Sequence, residues 1–429
     1  MIDIKYIIHN EEAVKQNVIH RHARCNIDEL VSLYAEKNKL QYEIDQLRSR
    51  RNQLSGKINS ASNDIRLDLI EESKQIKEAL LMVEPKLAEI THRFTEEHGK
   101  VPNMTHPASP IGKDDSENLE IRRYCEPTQF SFKPKDHIQL GKDLDIIDFE
   151  SANKVSGSKF YYLKNEAVLL EFALIKHAMD LLIKEGFTLI ETPDLARNRI
   201  LEGIGYNPRG EETQVYSIEN TDLSLIGTAE ITLGGIYADT IIDKDQLPVK
   251  LAGISHCFRT EAGAYGQFSK GLYRVHQFTK VEMFAYTLPD QSEQMHDYMV
   301  EMEERFFKSL NIPFRIVDIC TGDMGGPAYR KYDLEAWMPG RPSDKEGEHG
   351  NWGEVTSTSN CTDYQSRRLN IKYRPTAGGK TEYIHMLNGT AVAIPRALIA
   401  ILENYQQKDG SVVIPEVLRT YMGKDRINR

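Results

Sequence analysis

The chain has 429 residues, too many for one compact core and enough for two domains. Hydrophobic residues make up 40% and charged residues 28%, the balance of a soluble globular protein, and no run approaches a membrane span. A formal net charge of −10 confines any nucleic-acid contact to local patches, and five scattered cysteines without a CxxC pair argue against a disulfide framework and a zinc site.

The opening MIDIKYIIHNEEAVKQ carries an early acidic pair and lacks the basic start and apolar centre of a leader, which predicts a cytoplasmic location. Next comes a helical region. Leu30, Leu33, Lys37, Leu40, Ile44, Leu47, Arg51, Leu54 and Ile58 alternate steps of three and four. Leu69, Ser73, Ile76, Leu80, Val83, Leu87, Ile90 and Phe94 do the same after the turn-forming NSASND at Asn59–Asp64. This pattern predicts two long helices over about 27–100 folded as an antiparallel coiled-coil hairpin. At 1.5 Å per residue, arms of roughly 30 residues reach about 45 Å. Pro85 is expected to kink the second helix. Toward the tip, Gln46–Asn63 holds Arg48, Arg50, Arg51 and Lys57 and no acid. Such a stripe suits phosphate contacts, and a solvated or partner-binding helix face is the plainer alternative.

The proline-rich VPNMTHPASPIGKDDSEN then separates an N-terminal arm, residues 1–104, from a larger domain, residues 105–429. In that domain Asn165–Glu185 reads as an amphipathic helix and Phe187–Leu195 as a strand ended by Pro193. Further strands are expected at Asp222–Ile226, Leu251–Arg259, Tyr273–Tyr286, Phe314–Ile319, Tyr332–Trp337 and Gly353–Thr358, and helices at Gln291–Leu310, Thr362–Ile371 and Ala391–Gln406. Consecutive strands with short connections predict an α+β fold, an antiparallel sheet flanked by helices. No Gly-rich nucleotide loop is visible.

One stretch carries unusual chemistry: CFRTEAGAYGQFSKGLYRVHQFTKVEMF, Cys257–Phe284. Alternation along a strand puts Arg274, His276, Phe278, Lys280 and Glu282 on one face, with Arg259 and Glu261 sharing a face if the preceding strand continues. A salt-bridged wet face would explain the charges. It leaves Phe278 unexplained, whereas a ring for a base and arginines for phosphates suit nucleotide binding.

The same stretch resembles motif 2 of the class II aminoacyl-tRNA synthetases, in the form found in seryl-tRNA synthetases. GTAEI (Gly227–Ile231), TSNCTDYQSRRL (Thr358–Leu369), HMLNGTAVAIPRALIAILENYQ (His385–Gln406) and VVIPEVLRTYM (Val412–Met422) are similar to stretches of that family in the same order. The helical hairpin resembles its tRNA-binding arm. The resemblance implies a class II catalytic domain that activates L-serine with ATP and transfers it to tRNA(Ser), with tRNA(Sec) a second candidate acceptor. By that resemblance the catalytic residues are Arg259, Glu261, Arg274 and Arg396. Arg259 would clamp the α-phosphate and the serine carboxylate, Glu261 hold the adenine amino group, Phe278 stack on the base, and Arg274 and Arg396 lie along the phosphates. Thr260, Val275, Glu354, Val355, Thr356 and Ser357 complete the expected ATP site. Thr228, Ala229, Glu230, Arg259, Glu282, Asn388 and Thr390 form the expected serine site, and Arg48, Arg50, Arg51 and Lys57 the tRNA contacts.

Glu354 and Ser357 match the family's Mg²⁺ ligands. A spacing of three does not put both on one face of a straight strand, so a bulge or strand end is required. Pro193 resembles the motif 1 proline, which implies a homodimer. The chain departs from common family patterns at Thr390-Ala391, at Pro395, and at Gln267, Phe268 and Lys270. The acidic, Gly-rich GRPSDKEGEHGNW at Gly340–Trp352 reads as a mobile surface loop. Two other functions stand beside the ligase: a serine-adenylating enzyme that loads a non-tRNA acceptor, and a non-catalytic RNA-binding paralogue.

Overall fold

Apolar residues three and four apart give the first unit, Met1–Pro102, its shape. After two short helices, Ile4–His9 and Glu11–His20, come α1 (Ile27–Ile58) and α2 (Asn63–Lys100). The Asn26 side chain caps α1 by accepting the Glu29 N–H, and Asp28 and Glu29 meet the positive end of its dipole. Ion pairs between the helices run in opposite sequence order: Glu29–Arg93 at 2.9 Å, Arg48–Glu84 at 2.8 Å and Arg50–Glu72 at 2.7 Å. The pair is therefore antiparallel. Ile44, Leu54, Ile76 and Leu80 form the buried seam, and Lys37 places its ammonium 5.1 Å from the Phe94 ring centre. Pro85, where a local kink is expected, lies inside α2, which runs on through it.

The computed structural model describes residues 1–59, 62–206, 214–262, 270–343, 349–376 and 378–428. Its second unit starts at Asn103, two residues before the expected boundary. The buried Asn103 amide donates to the carbonyls of Pro327 and Cys361, both at 2.9 Å, which commits that residue to the second unit.

In chain order the second unit comprises β1 (Leu119–Tyr124), α3 (His137–Asp143), α4 (Glu166–Lys184), β2 (Thr188–Glu191) and α5 (Ala229–Gly235). There follow β3 (Val249–Phe258), β4 (Gln277–Thr287), α6 (Ser292–Ser309), β5 (Phe314–Asp318), β6 (Arg330–Pro342), β7 (His349–Asn360), β8 (His385–Ala393) and α7 (Ile394–Asn404), besides shorter elements. The eight strands form one sheet in the order β1-β5-β6-β7-β8-β4-β3-β2. Every neighbouring pair is antiparallel except β2 with β3. Among the described residues no helix is long and apolar enough to cross a membrane.

One face of the sheet is mostly apolar. Val281, Met283 and Ala285 of β4 pack there with Leu170, Leu174 and Leu182 of α4, Met299 and Phe306 of α6, and Leu398 and Leu402 of α7. The opposite face of β4 is divided. Phe284 and Tyr286 join a second cluster with Ile231 and Leu233 of α5, whereas Phe278, Lys280 and Glu282 stay outside both clusters.

Three expectations need correction. Residues 385–393 form a strand, so the last long helix starts at Ile394 and not at Ala391. Pairing of His385–Ala393 with β4 and β7 overrides the helix propensity of its Met, Leu and Ala residues. The strand expected from Tyr273 starts at Gln277, because Gly271–Tyr273 forms a single tight turn. Much of the expected loop at 340–352 belongs to β6 and β7, where Pro342 pairs with His349 and Trp352 packs edge-on to Trp337 at 5.2 Å. Residues 344–348 lie outside the described residues, as do Ser60, Ala61, Gln267 and Phe268.

The seam of the hairpin is narrow, so each buried side chain contributes visibly. Ile44→Ala should cost about 2 kcal/mol, the low end for a core truncation because two helices can close on the gap. Hydrogen exchange should then run roughly 30-fold faster for the central amides of α1 and α2 and stay unchanged in the sheet. Uniform acceleration across the chain would contradict the independence of the arm.

Candidate active site

A cavity of about 550 Å³ opens on the polar part of the sheet's second face. Three groups of side chains build it. At the first, Thr228 caps α5 by accepting the Glu230 N–H at 3.2 Å. The Glu230 carboxylate then accepts from Gln365 at 2.8 Å and from Asn388 of β8 at 2.9 Å. Burial, reinforced by the neighbouring Glu282, pushes its carboxyl up to about 7. Lys280 donates to Thr228 Oγ1 at 2.8 Å and Thr390 Oγ1 at 3.3 Å, and forms an ion pair with Glu282. The Thr390 hydroxyl donates to Glu282 at 3.1 Å. Register explains this meeting, since Thr390 of β8 lies opposite Glu282 of β4.

The second group surrounds Arg259. The strand β3 ends at Phe258, and the Arg259 backbone exchanges bonds with His276: its N–H donates to the His276 carbonyl at 3.0 Å, and its carbonyl accepts from His276 Nδ1 at 2.9 Å. The Arg259 Nε donates to the Gly227 carbonyl at 3.1 Å, and its guanidinium lies 5.3 Å from the Phe278 ring centre. Glu261 was expected to reach the site by strand alternation. It does so through a left-handed turn, φ +52°, and accepts from Arg274 at 2.8 Å.

The third group depends on a bulge. Leu334 of β6 pairs with Thr356 while Glu335 pairs with Glu354, which leaves Val355 as the extra residue on β7. Val355 turns into the apolar core, and Thr356 and Thr358 donate to the buried Glu303 of α6. Glu354 and Ser357 are thereby both turned to the cavity, as a spacing of three required. Arg396, in the first turn of α7, meets the Glu354 carboxylate at 2.9 Å and stacks 4.8 Å from the Tyr273 ring centre. Burial opposes the Glu354 charge, but Arg396, Lys331 and Arg259 outweigh it and hold the carboxyl down at about 2.

Of the residues singled out in the sequence, Thr228, Glu230, Arg259, Glu261, Arg274, Val275, Phe278, Glu282, Glu354, Val355, Thr356, Ser357, Asn388, Thr390 and Arg396 all line this cavity. Ala229 and Thr260 do not: Ala229 packs in the second apolar cluster, and the Thr260 N–H donates to the Gln214 carbonyl at 3.1 Å. Lys280, Lys331, Tyr206 and Tyr273 also line it and were not singled out. Alternation had placed Lys280 on the face of Phe278 and Glu282, which was a usable signal; Tyr206 and Lys331 had none. In the arm, Arg48 and Arg50 are engaged in the interhelical pairs, whereas Arg51 is exposed and forms no ion pair among the described residues. Lys57 is exposed in the last turn of α1. Among the described residues no cluster of three or more His, Cys, Asp and Glu could hold a metal ion.

Comparison with known proteins identifies both units. Residues 1–105 match the seryl-tRNA synthetase N-terminal domain, and residues 214–405 match the tRNA synthetase class II core domain (G, H, P, S and T). The chain is 54% identical to a serine–tRNA ligase of Rubrobacter xylanophilus, over 100% of this chain and 99% of that protein. It is 55% identical to one of Treponema denticola, covering 100% of both. Among solved structures, seryl-tRNA synthetase from Pyrococcus horikoshii complexed with ATP superposes with a TM-score of 0.88 at 40% identity, covering 100% of this chain and 99% of that one. The cytoplasmic serine–tRNA ligase of Naegleria fowleri in complex with AMP gives 0.84 at 31% identity, with the same coverage. With both units matched and relatives alike from end to end, the chain belongs to the seryl-tRNA synthetase family.

Proposed function

We propose that this chain is a serine–tRNA ligase that condenses L-serine with ATP to seryl-adenylate and passes the seryl group to the 3′ end of tRNA(Ser), with tRNA(Sec) a second acceptor. One observation carries the reading. A single cavity holds an arginine-rich side, Arg259, Arg274 and Arg396, and a side of paired carboxylates and hydroxyls, Glu230, Glu282, Thr228 and Thr390. The first side suits a polyphosphate and the second a small amino acid. In the first step a serine carboxylate oxygen attacks the α-phosphorus and pyrophosphate leaves. The carboxylate is already a nucleophile, so the protein's part is to align the groups and neutralise charge. Arg259, bonded to Gly227 beside Thr228 and lying against Phe278, would reach both reactants. Phe278 offers a stacking face to adenine, with Glu261 held by Arg274 beside it.

Glu354, ionised at neutral pH, and Ser357 are oxygen donors on one wall, fit to hold a Mg²⁺ that neutralises phosphate charge. At the serine end, Thr228 and Glu230 face the ammonium group while Glu282, Asn388 and Thr390 surround the side chain. Alanine would leave such buried hydrogen-bonding groups unpaired, which is a strong basis for rejection. The family resemblance further supports a cytoplasmic homodimer, with the exposed Pro193 beyond β2 at its interface. The arm would contact tRNA through Arg51 and Lys57, and through Arg48 and Arg50 once their interhelical pairs yield.

Serine-dependent ATP–pyrophosphate exchange, with alanine and threonine as controls, followed by charging of total tRNA, tests the proposal. Exchange with serine and charging are expected, and Arg396→Ala should lower both by about 10³-fold. Exchange without charging would move the chain to a carrier-loading enzyme, and no exchange with any amino acid would remove the catalytic reading. Reversing charge at Arg51 and Lys57 together should raise the KM for tRNA about tenfold while exchange stays within about twofold. A further outcome follows from Glu230. Its native carboxyl titrates near 7 against an ordinary 4.5, so the folded chain keeps a proton that the unfolded chain releases between those values. The stability this contributes is present below pH 4.5 and is lost as pH rises to 7. Glu230→Gln, without serine, should therefore flatten the fall in denaturant stability between pH 5 and 8, by on the order of 2 kcal/mol. An unchanged slope would mean that Glu230 is ionised throughout.

A further inference from the structure

Behind the cavity wall lies a buried histidine–carboxylate pair whose bonds lead back into the site. His137 opens α3 and Glu403 belongs to α7; both side chains are 2% exposed. The His137 Nδ1 lies 2.8 Å from Glu403 Oε1, which also accepts the His137 backbone N–H at 3.0 Å. Glu403 Oε2 accepts the Gly340 N–H at 2.8 Å, so three donors fix the carboxylate. On the ring's other side, the Leu272 N–H donates to Nε2 at 3.1 Å. A backbone amide can only donate and a carboxylate beside three N–H groups accepts. The bonds therefore assign the neutral tautomer with its hydrogen on Nδ1.

Leu272 is the centre of the single turn Gly271–Tyr273. That turn rests directly on the histidine: Gly271 has φ +60°, and a Cβ there would lie 2.2 Å from His137 Nε2 and 2.7 Å from Ile138 Cγ1. One residue earlier, Lys270 pairs with Asp136 at 2.5 Å. Tyr273 closes the turn and Arg274 follows it, both on the cavity. The Tyr273 ring meets Arg396 at 4.8 Å and Arg341 at 4.9 Å, and Arg274 pairs with Glu261 at 2.8 Å. Glu403 and Arg396 are about two turns apart on α7. One helix thus anchors both the histidine that seats the turn and the guanidinium on which the turn stacks.

We propose that His137, braced by Glu403, is a positioning residue for the nucleotide half of the cavity: by accepting the Leu272 N–H it sets the Gly271–Tyr273 turn, and through it Tyr273 and Arg274. The proposal rests on the reading of that half as the ATP site.

Dissociation constants for ATP and for serine, measured by calorimetry on the full chain with unfolding midpoints alongside, test it. His137→Asn keeps a donor within reach of Glu403 and gives up the acceptor for Leu272. His137→Gln reaches the Nε2 position and keeps that acceptor. His137→Asn should weaken ATP about tenfold with serine within about twofold, and His137→Gln should bind ATP within about threefold of the parent chain. Equal losses in the two variants, or ATP and serine weakened in parallel, would reduce the pair to general support and overturn the proposal. If neither variant folds, Lys270→Met decides: ATP weakened about threefold with serine unchanged supports the seating of the turn, and unchanged ATP binding overturns it. A parent chain that binds ATP but shows no serine-dependent exchange would overturn the ligase reading while the ATP constants still judge this one. No ATP binding at all would overturn both.

Discussion

The pairing of Glu354 with Arg396 is the contact on which the site most depends. Both groups are partly exposed to the cavity, and the 2.9 Å pairing fixes the direction in which each points and offsets the cost of drawing it partly out of water. The pair joins a central strand, β7, to the first turn of α7, and α7 in turn packs its other face into the main core. The opposite face of β7 is fixed as well, since Thr356 and Thr358 donate to Glu303, whose own carboxyl burial raises well above its ordinary range. Strand, helix and charge are thus located by one another.

The same logic extends around the cavity. Lys280 has Glu282, Arg274 has Glu261, and Arg259 has the Gly227 carbonyl, so the site is a set of charges already provided with partners. Polar groups held this way need little rearrangement when charge develops on a substrate. Glu230 is the group least settled by its neighbours. Its acceptor bonds from Gln365 and Asn388 and the nearby cations do not offset burial beside Glu282. A substrate ammonium placed there would supply the missing positive charge, which is a reason for the pocket to select an amino acid.

The arm was legible because its determinant is local. A three-four repeat of apolar residues over many turns has one good solution, two helices seam to seam, and even Lys37 fits it by lying over Phe94. Pro85 sits within α2, and one lost N–H on a helix packed along its length does not end it. In the larger unit, most strands and the shared face of Phe278, Lys280 and Glu282 followed from period-two alternation. His385–Ala393 did not, since Met386, Leu387, Asn388, Gly389 and Ala391 carry little strand preference and outnumber the β-branched Thr390 and Val392.

The sequence by itself determined the coiled-coil hairpin, the antiparallel α+β class and, through motif-like stretches, most of the side chains that line the cavity. Those properties depend on spacing and residue type along the chain. Only the tertiary structure decided that Glu354 and Ser357 share a wall, that Glu261 arrives through a left-handed turn, that Lys280 stands between Thr228 and Thr390, and that His137 seats the turn before Arg274. The Lys280 and His137 contacts join segments far apart in sequence, and the bulge and the left-handed turn are local distortions that pairing with distant strands and side chains holds in place. No local pattern encodes such a contact, because its partner is chosen by the packing of the whole sheet.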